Sequence, residues 1–491
     1  MQSITSNTNK RRVLNNIINI ILFLLITICI PLFTLGKFSF KGNSEINGVS
    51  SNIYSFSYYA DVTPSLYIVI PLVSVYILFS ILLLVRLRKE IKINIFYVIL
   101  FLLFVGVRCY SIFTFYNGSQ TFNYVEPFNE SSIAITYSGF SLTDRIITFI
   151  YNFCFASYFL LIATFRPLIK NNKYFFHILF ILIELVVLSM IVYSFIYEFD
   201  KIKNNFFALF SPDPNCRFDM SITSYTTYRN VFGFFLMFGY LFATFDFLHK
   251  ENFFSLILIV VFYLFSLILC SRTPLLLMTV ATGLFLLLYP IFNFVKHKGY
   301  SILFITTLVC IILFFVITLY CFNDTFLNKY LFFIKNYMTV NARKDLGKVA
   351  LTMMNNIYVF LFGYSKYPFI SIFSQYNLLT PIDHNVLTTS HNSFYDVFIQ
   401  YGALGASILA IVLLIMLVRL IVVLFKDKKK INIAYIIAMG LLAVYSYLEP
   451  RFIFLEEGTC IFFILVIANY YISSNKKYKK MTRMDILVKN L

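Results

Sequence analysis

Residues 253–292 read FFSLILIVVFYLFSLILCSRTPLLLMTVATGLFLLLYPIF, two apolar runs separated only by Ser271-Arg272-Thr273. A transmembrane helix needs about 20 mostly apolar residues. This stretch therefore reads as a span that crosses a bilayer, reverses within three residues and crosses back. Working outward from it, the same pattern recurs along the chain. Twelve candidate spans emerge, at 13–36, 66–85, 93–116, 146–165, 174–197, 230–248, 253–270, 274–294, 301–320, 393–425, 432–448 and 452–472. Composition agrees: of 491 residues 60% are hydrophobic and 13% charged, with 60 Phe, 36 Tyr and no Trp. Soluble domains run nearer 45–50% apolar and about 25% charged. The fold class is an all-α polytopic membrane protein with about twelve transmembrane helices, one integral membrane domain over 1–491. The first span follows Lys10-Arg11-Arg12. Its apolar run is too long for a cleaved signal and no small-residue cleavage site follows, so it reads as the first anchor.

Lys and Arg set the sidedness. One set of connections carries tight clusters: Lys10-Arg11-Arg12, Arg86/Arg88/Lys89/Lys92, Arg166/Lys170/Lys173, Lys296/Lys298, Lys426/Lys428/Lys429/Lys430 and a basic tail over 473–491. These connections should be cytoplasmic, with both termini inside. The other set holds the long connections 37–65, 117–145, 198–229 and 321–392 and two tight turns, at Arg272 and Arg451. Long polar loops on one face and clipped basic loops on the other point function outward.

The formal net charge is +18. In a soluble protein that would suggest nucleic acid as partner, but here the basic residues sit in short clusters between spans. By this topology the outer side carries 16 basic and 16 acidic residues; the remaining 24 basic and 6 acidic residues hold the whole +18. The excess faces anionic lipid head groups and describes membrane lipids as partners, with no nucleic acid. Most of the eight cysteines lie in apolar spans, where a soft apolar residue is the plain reading. Cys216 and Cys321 alone sit outside or at the outer boundary, where a disulfide can form. CxxC, HExxH, the calcium-loop pattern and GxxxxGK[ST] are all missing, so neither a metal site nor ATP hydrolysis has motif support.

Charges in or beside a span are costly and mark candidate function. Glu184 lies deepest, ten residues into its span, and serves either as a structural hydrogen-bonding group or as a substrate residue. Arg108 and Arg145 fall in outer halves of spans, where each can line a cavity or pair with a nearby acid such as Glu126 or Asp144. Arg272 differs: Pro274 fits the first turn of the following helix, and Ser271 or Thr273 can cap it. A guanidinium at a helix N-terminus combines a donor fork with exposed N–H groups, which suits an anion; a lone snorkelling arginine is the alternative.

In the long connection 321–392, NARKDLGKVALTMMNNIYVFLFGY from Asn341 places Leu346, Val349, Ala350, Met353, Ile357 and Phe360 at helical spacing. It predicts an amphipathic helix lying on the membrane or on the bundle, capped by Asn341, with Arg343, Lys344 and Lys348 near its start. Only His384 and His391, of five His, fall on the outer side by this topology. Histidine can take a proton from a hydroxyl near neutral pH.

The Ser-Arg-Thr turn, the run Arg343…Gly363-Tyr364 and His391-Asn392-Ser393 leading into FYDVFIQYGALG together resemble the O-antigen ligase / Wzy-type polysaccharide polymerase superfamily. The resemblance covers roughly 253–425. It implies a GT-C-like bundle with a large outer loop and glycosyl transfer at the outer face of the bacterial cytoplasmic membrane, with no metal and no cofactor. The implied donor is an oligosaccharide on undecaprenyl diphosphate. The acceptor is another lipid-linked repeat in an O-antigen or capsule polymerase, and lipid A-core or a related acceptor in a ligase. A chain-length regulator protein is the implied partner of a polymerase. Carried over by residue, Arg272 and Arg343 bind the diphosphate, His391 is the general base and Asn392 supports the helix start. One departure stands out, because Gly363-Tyr364-Ser365 replaces a Gly-x-Gly. A flippase or exporter is the rival class; it would show charges near the midplane, and only Glu184 fits.

Overall fold

The structure is a computed structural model. It describes residues 40–47, 53–60, 66–88, 95–115, 120–125, 132–137, 175–210, 222–224, 229–269, 271–321, 357–363, 392–427 and 431–448, with scattered positions within 14–25, 142–157 and 347–354. Its contacts divide into two compact units, one over 1–172, 341–418 and 446–491, the other over 173–340 and 419–445.

Among the described residues six helices are long and apolar enough to cross a membrane, and shorter apolar helices accompany them. The helices are α1 (Leu66–Leu87), α2 (Ile95–Tyr110), α3 (Phe175–Tyr197), α4 (Phe199–Phe210), α5 (Arg229–Lys250), α6 (Phe253–Leu269), α7 (Arg272–Phe292), α8 (Lys298–Cys321), α9 (Ile357–Phe362), α10 (Ser393–Asp427) and α11 (Ile431–Leu448). The polytopic helical class read from the apolar runs is borne out. The spans expected at 146–165 and 452–472 fall largely or wholly outside the described residues, and so does Cys216.

The first two long connections hold a feature that hydropathy did not signal. β1 (Phe40–Asn47) and β2 (Ile53–Ala60) form one antiparallel hairpin, β3 (Gln120–Val125) and β4 (Ser132–Tyr137) another. β1 pairs β4 from Ser44↔Tyr137 to Asn47↔Ala134, giving one sheet in the order β2-β1-β4-β3. An isolated hairpin is marginal in water; joining two of them removes two exposed edges. The sheet adds extramembrane strands to the helical bundle.

In the second unit α5 is the central helix, almost wholly buried. Phe234, Phe238 and Phe242 recur every four residues, so they share one face; their rings lie 5.5 and 4.7 Å apart in succession. Phe245 stacks on Tyr435 at 4.5 Å. Hydroxyls that enter an apolar medium need partners. Tyr240 of α5 pairs with Thr282 of α7 at 2.6 Å, and Tyr263 of α6 with Thr279 at 2.7 Å. These two bonds tie α7 to its neighbours.

Between α3 and α4 the chain bends at Glu198. Its carboxylate accepts from Ser224 N (2.8 Å), from Lys201 Nζ (3.0 Å) and from Thr223 N (3.2 Å). Burial pushes this carboxyl up, but the bonds from Lys201, Ser224 and Thr223 outweigh it and hold it below its ordinary range. A lowered folded-state pKa stabilises above the unfolded value, about 4.3 for Glu. That contribution is lost as pH falls through the folded-state value. Hydrogen exchange at the Thr223 and Ser224 amides, corrected for intrinsic chemistry, should accelerate in that window in the native chain. Glu198→Gln should show weaker protection at neutral pH and no such transition; identical profiles in both proteins would contradict the assignment.

Candidate functional site

The Ser-Arg-Thr turn lies where the sequence placed it. α6 ends at Leu269, Ser271 stands at the N-cap of α7 with φ −82° and ψ 102°, and Arg272 opens the helix. Asn205 of α4 donates to Ile268 O at 3.2 Å, holding the end of α6. One detail of the expectation is corrected. Ser271 occupies the cap position but makes no side-chain cap bond, and its Oγ is buried without a partner among the described residues. The reason is local: a capping oxygen reaches the N–H of the second or third helical residue, and the third is Pro274, which has none. Thr273 is the second helical residue and buried, so it caps nothing.

What holds the turn is packing. Gly233 of α5 lies so close that a Cβ there would meet Ser271 Oγ at 2.4 Å, Ser271 Cβ at 2.5 Å and Pro274 Cγ at 3.0 Å. Only a glycine leaves room. Sequence spacing held no sign of this, because Gly233 and Ser271 are far apart in the chain.

In the first unit Asn392 stands just ahead of α10, at its N-cap. Asn392 Oδ1 accepts from the N–H groups of Phe394 (2.9 Å) and Tyr395 (3.4 Å), capping the first turn. Asp396 is buried one turn on. The span expected over 393–425 is interrupted: Gly402 has φ 65° and ψ 176°. A continuous helix of 35 residues would be about 52 Å long, well beyond a hydrocarbon core of about 30 Å. The break leaves a short helix over 393–401 ahead of the long one.

Three positions of the large loop meet that short helix. A Cβ on Gly347 would meet the Tyr395 ring at 3.1 Å. The Phe360 and Phe398 rings lie 5.4 Å apart. Gly363, φ 69°, sits against Gly402 so tightly that a Cβ on either would collide with the other's backbone nitrogen, at 2.4 and 2.5 Å. The predicted amphipathic segment is helical at 347, 351 and 357–362; Val359 is buried within the protein, while Ile357 and Phe360 are exposed on its surface.

Arg108 is fully buried, so it lines no open cavity, and its guanidinium donates to backbone carbonyls; Glu126 and Asp144, the acids expected as alternative partners, lie outside the described residues. Nη1 donates to Gln400 O and Nη2 to Tyr401 O, both at 2.7 Å, and Nη2 also donates to Phe362 O. Arg145 is half-buried in a helical stretch of the same unit. Glu184 is buried in α3, and its Oε1 has no partner among the described residues. Arg343, His391 and Arg451, and the Arg272 side chain, lie outside what the structure describes. Among the described residues no three His, Cys, Asp or Glu cluster to hold a metal.

Residues 253–410, from the first residue of α6 into α10, match the family model described as O-antigen ligase. Over this segment, about a third of the chain, the sequence is similar to that family. The match takes in the Ser-Arg-Thr turn, the large loop, His391 and the glycines at 402 and 405, and leaves out Arg108. It supports an activity of polymerase or ligase type in a membrane protein, without choosing between the two. No curated protein matches the chain.

Gly233→Ala should destabilise the fold by the cost of overpacking, about 1–3 kcal/mol, read as a lower thermal midpoint in detergent. Ser271→Ala should shift stability by less than about 0.5 kcal/mol, since no capping bond worth about 1 kcal/mol is lost. A large loss in Ser271→Ala with none in Gly233→Ala would overturn this account of the turn.

Proposed function

We propose that the protein is a polysaccharide polymerase that joins undecaprenyl-diphosphate-linked oligosaccharide repeats at the outer face of the bacterial cytoplasmic membrane. The observation that carries this reading is the family match over 253–410, which spans Arg272, Arg343 and His391 together. The topology that turns these residues outward rests on the distribution of Lys and Arg.

In the proposed reaction an acceptor hydroxyl oxygen attacks the anomeric carbon of the donor sugar. The bond from that carbon to the diphosphate oxygen breaks, and undecaprenyl diphosphate leaves with the electron pair. His391 takes the hydroxyl proton. Negative charge grows on the leaving diphosphate as the bond breaks. Arginines at 272 and 343 aimed at it stabilise the transition state more than the ground state. The N-terminus of α7 adds its unpaired N–H groups on the same side of the charge balance. The Asn392 cap fixes the first turn after His391, which suits a base that must stand still. Phe394, which is exposed, and the Leu/Phe-rich α6 offer apolar surface to the polyprenyl chain. A chain-length regulator would act on the polymer's size.

A ligase that transfers finished glycan to lipid A-core or another surface acceptor is the second reading, favoured by the description of the matching family. Gene deletion separates them. Loss of a polymerase leaves single repeats on the surface acceptor, whereas loss of a ligase leaves no attached glycan and accumulates lipid-linked polymer.

His391→Ala and Arg272→Ala should each abolish polymerisation in a complemented deletion strain while the protein still reaches the membrane. Arg343→Lys should shorten the glycan ladder, because an ammonium cannot make the bidentate phosphate contact. Near-normal chain lengths in the first two variants would sink the assigned roles.

A further inference from the structure

A helix that stops leaves its last four carbonyls without intrahelical partners. Where the surroundings are apolar, each must find a donor or cost free energy. The stop at Gly402 orphans carbonyls at the end of the short helix over 393–401, and the stop at Gly363 does the same for α9. Gly363 N closes one by donating to Val359 O at 2.8 Å. Arg108 closes Gln400 O, Tyr401 O and Phe362 O at once, and Ser111 Oγ donates to Gly363 O at 3.1 Å. Two helix C-termini, each with partial negative charge, thus converge on one buried cation. The guanidinium also lies 5.2 Å from the centre of the Tyr401 ring, a favourable cation–π distance. The flanking rings complete the seat, with Phe104 against Tyr401 at 5.5 Å and Tyr110 against Phe362 at 4.6 Å. A Cβ on Gly405 would stand 2.9 Å from Tyr401 Cβ and 3.6 Å from Arg108 Nη2, so the small residue lets α10 close on the clamp.

We infer that Arg108 is a positioning residue: by tying the end of α9 to the break at Gly402, it sets where the short helix that follows His391 stands. It does not touch the donor. The helix it holds belongs to the family-matched segment, while Arg108 itself comes from α2, outside that segment. A flat fork with donors at fixed angles can serve three carbonyls on two chain segments, which an ammonium on a flexible stem cannot. The inference rests on the proposed role of His391, so the test carries a readout that needs no turnover.

The test uses the purified full-length protein with a lipid-diphosphate-linked repeat unit. Arg108→Gln should lower kcat about 10- to 100-fold, the effect of a base displaced by about an ångström, with KM for the donor within about twofold. Arg108→Lys and the milder Ser111→Ala should fall between it and the native enzyme, and they serve if Arg108→Gln fails to fold. In parallel, the pair Phe360→Cys/Phe398→Cys is joined by a short bismaleimide and the linked peptides are quantified by mass spectrometry. Linking should be efficient with Arg108 present and several-fold lower in its variants. A raised donor KM with linking intact would make Arg108 a ligand-binding residue and overturn the inference; so would native kcat and linking in every variant. Should His391→Ala keep full turnover, the reading of the helix as catalytic fails by itself. Linking then decides the clamp alone, and undiminished linking in Arg108→Gln rejects it.

Discussion

Backbone carbonyls cannot go unpaired where water is excluded, and the bond from Arg108 to the two broken helix ends answers that constraint. A bilayer allows irregular backbone only where protein supplies the partners. Gly363 and Gly402 let two backbones approach until neither has room for a Cβ. That approach strands carbonyls, and a fully buried guanidinium gathers three of them. Take away the cation and the crossing of the large loop with the start of α10 has unpaired carbonyls at its centre. The short helix capped by Asn392 and the ring contact of Phe398 with Phe360 lie at that crossing.

Much of the fold could be read from the chain, for a physical reason. Apolar runs of span length have few alternatives to a membrane helix, so α6, α7 and α8 lie within a few residues of their expected limits. The Gly402 break escaped because Gly-Ala-Leu-Gly reads equally well as a small-residue face within one helix. Only the positive φ distinguishes the two. The four-stranded sheet escaped because its central pairing joins segments some ninety residues apart in sequence, β1 and β4, and nothing local encodes such a partner.

The site divides in the same way. Residue type and place identified the Ser-Arg-Thr turn, since helix starts carry local signals, while Asn392 came from the family resemblance. Packing did not announce itself: Gly233 is indistinguishable in sequence from any helical glycine, yet it makes space for Ser271. In sequence Arg108 suits a cavity or an ion pair equally, and nothing local announces its bonds to carbonyls. Three carbonyls at the right distance turn the same side chain into scaffold. Arg343 and His391, which carry the proposed chemistry, come from the resemblance and from the segment matched to the family.

The reaction proposed for this one chain is glycosyl transfer between lipid-diphosphate-linked saccharides. The most direct measurement incubates the purified protein, in detergent, with an undecaprenyl-diphosphate-linked repeat unit and resolves the products by length. The expected products are a ladder of longer lipid-linked glycans and released undecaprenyl diphosphate, both absent with Arg272→Ala. No elongation in detergent, with saccharide movement seen only across sealed vesicles, would contradict it and make the protein a transporter.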